Sequence, residues 1–112
     1  MAVTVEGSGT QTATIGTEHS LLIDADAKVF IFVVNTTNMA NADVLELRIK
    51  SKVLSTSTIA LAFLATFQNV QAEPVKMSVP VAGGGFTSGT EFTLKQTAGT
   101  GRSYEWAVWS VG

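Results

Sequence analysis

His19 is the only histidine in the chain, and cysteine is absent. A nucleophilic triad needs an imidazole base with two partners, and an imidazole metal site needs further ligands. One histidine without cysteine supplies neither, so His19 reads as a loop residue. Asp24 and Asp26 have the spacing that opens a calcium loop. Lys28 stands where the next oxygen ligand belongs, so turn formation accounts for both aspartates. Glu46 and Glu105 are a further carboxylate pair to weigh for hydrolysis. Both lie among polar residues of strand-like segments and read as solvated. Gly83-Gly84-Gly85 is followed by Phe86-Thr87-Ser88 rather than the Gly-Lys-Ser/Thr and helix of a phosphate loop. It reads as a β-connection where backbone, including that of a neighbouring chain, can come close. Tyr104, Trp106 and Trp109 invite comparison with a sugar-stacking platform. Trp106 and Trp109 are three apart and point to opposite faces of a strand; Tyr104 and Trp106 share a face, where core packing is the default. No catalytic residue, metal or cofactor is expected, and the chain is not expected to be an enzyme.

The elements that position these side chains are strands. In Val44–Val53, Leu45, Leu47 and Ile49 share one parity; Glu46, Arg48, Lys50 and Lys52 share the other. A period of two means one dry face and one wet face. Further strands are expected over 2–6, 10–15, 28–35, 58–68, 74–81, 90–97 and 103–111. Gly7-Ser8-Gly9 is read as a break in the first. Residues 16–26 are read as connection, with Leu21, Leu22 and Ile23 as an apolar plug. Residues 36–42 read as a loop with room for one helical turn, whose Met39 and Ala40 would cover an end of the core. Pro80 marks the 74–81 segment as an edge strand. These segments predict an all-β chain: a single antiparallel β-sandwich or jelly-roll-like domain of about eight short strands. The domain spans 1–112, with 1–16 as an extended arm or an edge strand.

Composition narrows the function. The 112 residues suit one domain, net charge is −2, and 46% are apolar while only 14% are charged. Average domains carry about 25% charged residues, so this surface is short of charge. No cationic cluster favours nucleic acid. No apolar run is long enough to span a bilayer. Residues 1–7 have neither the basic nor the apolar region of a signal peptide.

Several strands are apolar on both parities. Val29, Ile31 and Val33 alternate with Phe30, Phe32 and Val34, and 58–68 and 103–111 are also poor in charge on both sides. An isolated sandwich wets one face of each strand, so something covers the second face. Burying about 600 Å² of it is worth on the order of 15 kcal/mol gross, much of it offset by association entropy. A homo-oligomer is expected. Its candidate contacts are Phe30, Phe32, Ala60, Ala62, Leu64, Gly84, Phe86 and Trp109.

Asn41-Ala42-Asp43 with Val44–Lys50, then Thr66–Pro74, then Thr93–Ser103, resembles small proteins of tailed bacteriophages, and the resemblance covers most of the chain. It implies a virion component, foremost a capsid decoration (cement) protein that clamps neighbouring capsomers. The implied partners are copies of itself, as a trimer, and the major capsid protein, with no nucleic acid and no membrane. The implied location is the capsid surface, after assembly in the host cytoplasm. A tail, neck or baseplate component and a carbohydrate- or receptor-binding module are the alternatives.

Overall fold

Each strand of this chain meets the strand that mirrors it about the middle of the sequence. The computed structural model describes residues 2–111, with strands β1 (Val3–Thr12), β2 (Glu18–Asp24), β3 (Val29–Asn35), β4 (Val44–Ser51), β5 (Ala60–Gln68), β6 (Val75–Met77), β7 (Val81–Ala82), β8 (Thr90–Ala98) and β9 (Ser103–Val111). β1 pairs with β9, β2 with β8, β3 with β6 and β7, and β4 with β5, all antiparallel. These are the rungs of one long hairpin. Wrapping it on itself adds the β3–β9 and β4–β8 pairings. The result is a jelly roll, with a first sheet ordered β1-β9-β3-β6, β7 also on β3, and a second ordered β2-β8-β4-β5. No helix occurs among the described residues.

The inner faces supply the core. Phe30, Phe32 and Val34 of β3 and Tyr104 and Val108 of β9 face Leu45, Leu47 and Ile49 of β4 and Phe92 and Leu94 of β8. The Phe92 ring meets the edges of Phe30 and Phe32 at centroid distances of 5.5 and 5.7 Å, an aromatic geometry favoured beyond its area alone. Met39 is buried beneath one end of the core; its segment is a plain turn, with Met39 N–H bonded to the Thr36 carbonyl.

Three segments differ from the sequence expectation. β1 runs through Gly7-Ser8-Gly9 with a bulge after Val5, because these glycines lie under Trp106: a Cβ on Gly9 would sit 3.4 Å from its indole nitrogen. β2 is a strand where a connection was expected. Its bulge between Ser20 and Leu22 shifts parity in mid-strand and hides the alternation. Pro80 splits the 74–81 segment into the edge strands β6 and β7.

One end is tied by buried polar groups. The Asp43 carboxylate accepts from the N–H groups of Ala40 (2.9 Å) and Thr100 (3.0 Å) and from the Arg102 guanidinium (2.9 Å). Gln96, fully buried, accepts from the Tyr104 hydroxyl and Arg102 N–H and donates to the Ala98 and Thr100 carbonyls. Every hydrogen-bonding group of that amide is satisfied. Burial pushes the Tyr104 hydroxyl up to about 12, and the Asp43 charge adds to it. Burial would also raise Asp43, but the hydrogen bonds and Arg102 outweigh it and hold the carboxyl below the ordinary aspartate value.

Asp43→Asn is expected to cost about 2–4 kcal/mol of stability at pH 7, measured by urea unfolding. Because the folded-state pKa of Asp43 is lowered, its contribution is complete above about pH 4 and is lost as pH falls through the folded value. Acid unfolding of Asp43→Asn should therefore show a shallower pH dependence below about pH 4 than the parent. Gly99 has φ +88, and a Cβ there would lie 2.7 Å from the Asp43 Cα, backbone that cannot give way. Gly99→Ala is expected to cost about 3 kcal/mol or more, well beyond an ordinary turn glycine.

Candidate assembly surface

The two sheets present opposite chemistry outward. On the second sheet, the register aligns Glu18, Lys95, Glu46 and Thr66 in one row, and Ile23, Glu91, Lys50 and Leu61 in another. Between them, Arg48 reaches Glu18 (3.0 Å) and Glu46 (2.5 Å), and Lys50 reaches Glu18 (2.7 Å). Burial pushes the Glu18 carboxyl up, but Lys50 and Arg48 bring it below the usual glutamate value. This face is ionic, with Glu18, Glu46, Arg48 and Lys50 paired within it.

The first sheet carries the reverse pattern. Val3, Val111, Val29 and Ala82 form a row across four strands; Val5, Trp109 and Ile31 form the next. Then come Ser8, Ala107, Val33 and Met77, and finally Thr10, Glu105, Asn35 and Val75. The first two rows contain no polar side chain, and Glu105 is the only ionisable group in all four. Val3 is 60% exposed, Val5 58% and Met77 58%. Near the polar end, Val33, Val75, Ala107 and Trp109, with Asn35 and Glu105, line a shallow depression of about 420 Å³. Contiguous exposed apolar surface of this kind marks interaction sites.

The expected contact residues divide. Trp109 lies on this outer face, half-buried among its neighbours. Ala60, Ala62 and Leu64 are exposed on β5, the edge of the second sheet. Phe30 and Phe32 must be corrected: both are fully buried between the sheets, and the opposite parity of β3 faces out. Two apolar parities left the choice open, and the larger rings fill the inter-sheet space. Gly84 is exposed and Phe86 half-buried, but they pack on each other: a Cβ on Gly84 would lie 2.6 Å from the Phe86 ring. Gly83 and Gly84 of this loop leave room for the chain's own Phe30 and Phe86 rings.

Sequence reasoning missed Val3, Val5, Val111, Val75 and Met77 as parts of one surface. Each is an ordinary strand residue, and only the register, which joins the two chain ends through β1 and β9, brings them side by side.

The chemical candidates resolve into structural roles. His19 Nε2 accepts from Thr14 N–H (3.1 Å), fastening the β1–β2 turn. Glu6, Asp24 and Asp26 place carboxylate oxygens within 4.8 Å of one another. Lys28 lies 2.7 Å from Glu6 and 3.5 Å from Asp26, while Asp24 accepts from Asp26 N–H as a turn aspartate. The Lys28 and Ser110 hydrogen bonds hold the Glu6 carboxyl below its usual value. Glu46 and Glu105 lie on opposite outer faces of the sandwich, too far apart to share a substrate. Tyr104 is fully buried, so it and Trp106 form no exposed aromatic shelf.

No family model, no curated protein and no solved structure matches this chain.

Proposed function

We propose that this chain is a structural subunit of a tailed-phage virion: a capsid decoration protein that oligomerises and clamps neighbouring capsomers. The observation that carries the reading is the outer face of the first sheet. Its rows of Val3, Val111, Val29 and Ala82 and of Val5, Trp109 and Ile31 have nothing over them among the described residues. The broad sides of the sandwich measure up to 40 by 31 Å, enough for the ~800 Å² per partner of a standard interface. The paired charges of the second sheet suit a side that stays in water. In this arrangement the apolar sheet seats on the major capsid protein, and the ionic sheet faces outward from the capsid surface. Jelly rolls serve both viral capsids and lectins, so the fold alone does not choose between them; the apolar face and the phage resemblance favour the capsid reading.

A second reading has one observation in its favour. Trp109 borders a depression that also holds Asn35, Thr10 and Glu105, the aromatic-plus-polar lining of a sugar site. A glycan panel that shifts tryptophan fluorescence would favour it; an unchanged spectrum would count against it.

The test uses heads of a phage that encodes the chain, prepared without it. Purified protein is expected to co-sediment with those heads in saturable amounts. Val5→Lys and Met77→Lys alter exposed positions, so their stability is expected to change by no more than about 0.5 kcal/mol, while head binding weakens at least about tenfold. Parent protein that leaves the heads bare, or face variants that bind as well as the parent, would refute the reading.

A further inference from the structure

We infer that β5 is a self-pairing edge, through which two copies of this chain join their second sheets into one continuous sheet across a twofold axis. The inference rests on the reading of the chain as a self-associating subunit, and it names the strand through which copies meet.

A free sheet edge is a template for another strand, and proteins guard such edges with charge, proline, bulges or shortness. Three edges here are guarded. β2 carries Glu18, His19 and Asp24 and is bulged at Ser20. β6 and β7 are three and two residues long, carry Lys76 and are separated by Pro80. β1 is bulged after Val5, with Glu6 in the bulge bonded to Lys28. β5 is the exception. It is nine residues long, with one bulge near its start, opposite Ile49 and Lys50. From Val53 to Ala72 there is no ionisable side chain and no proline. Among the described residues, β4 is the only strand that pairs with it.

The occupant that fits is a second β5. Antiparallel pairing centred on Leu64 sets Leu64 against Leu64 of the second copy on the outer face, with Ala62 opposite Thr66. On the inner face Phe63 falls opposite Ala65, large against small. No charge meets a charge anywhere along the strand. Leu64 is 47% exposed and Leu61 50%, with Val53, Leu54 and Val70 of the flanking turns also exposed. That makes a second apolar patch, separate from the face of the first sheet. Of the charges near the strand, Arg48 and Lys50 on β4 are already paired with Glu46 and Glu18, and Lys76 of β6 lies over the Phe67 ring, 5.0 Å from its centroid, away from Leu64 at the centre of the pairing. Such a contact is isologous and closes a dimer.

The chain's lack of cysteine makes the test direct. Leu64→Cys introduces the only thiol, and opposed strand positions lie close enough for a disulfide or a short bis-maleimide bridge. Cross-linked dimer is expected from Leu64→Cys and not from Glu91→Cys, on the same face two strands away, or Ser8→Cys, on the other sheet. Leu64→Lys sets two lysines face to face and is expected to raise the dimer dissociation constant about tenfold or more, by sedimentation, with an unchanged thermal midpoint at dilutions where both proteins are monomeric. Protein that stays monomeric at concentrations on the order of 0.1 mM would overturn the inference. So would an oligomer in which Leu64→Lys changes nothing and Leu64→Cys does not cross-link. A β5-linked dimer that ignores heads would support this inference and refute the head reading. Parent protein that binds heads while Leu64→Cys gives no cross-linked dimer would do the reverse.

Discussion

A strand has two faces, and a two-sheet sandwich dries only one of them. Everything distinctive about this protein follows from having more apolar strand positions than one interior can take. The interior is filled by Phe30, Phe32, Phe92, Leu45, Leu47, Ile49, Leu94, Tyr104 and Val108. The wrapped hairpin then sends most of the surplus to one outer face: Val3, Val5, Val29, Ile31, Trp109 and Val111 all fall on the first sheet, while Leu61 and Leu64 stay exposed on β5 of the second. The second sheet takes most of the strand charge and pairs Glu18, Glu46, Arg48 and Lys50 among themselves. The asymmetry belongs to the register, not to composition. A one-residue slip of β3 alone would exchange its two phenylalanines for valines and isoleucine at the core.

The ends of the sandwich are held differently from its faces. Asp43 joins the β3–β4 loop to the β8–β9 turn, and its backbone carbonyl accepts from Asn69 N–H in the β5–β6 loop. Gln96 and Tyr104 continue the network inward. Ala42, at φ +79, sits beside it, with its N–H held by the Asn69 side chain. A non-glycine residue in that conformation costs free energy and is kept there by surrounding contacts. Of the polar groups that looked chemical in the sequence, His19 and Asp24 fix turns.

Much of the fold was legible. Val44–Ser51 shows its two faces in its alternation, and Leu45, Leu47 and Ile49 are buried as that pattern requires. What escaped reading has local causes. The β2 bulge shifts parity where Leu21 and Leu22 adjoin. The β1 glycines look like a break because their purpose, room for Trp106, lies on another strand. The candidate surface was half legible: two-sided apolarity announced an outer apolar face, but β3 offers two apolar parities and nothing in its own residues says which one turns inward. Phe30 and Phe32 were assigned outward for that reason. Val3 and Val5 were invisible as surface partners of Val111 and Trp109, because that neighbourhood is made by pairing across the whole length of the chain.

The central claim is that the outer face of the first sheet is covered in the assembled state. Hydroxyl-radical footprinting reads it at Met77 and Trp109, both readily oxidised and both on that face. The account predicts rapid modification of the two in dilute free protein and at least several-fold protection once the protein is bound to heads. Equal modification in both states would contradict it.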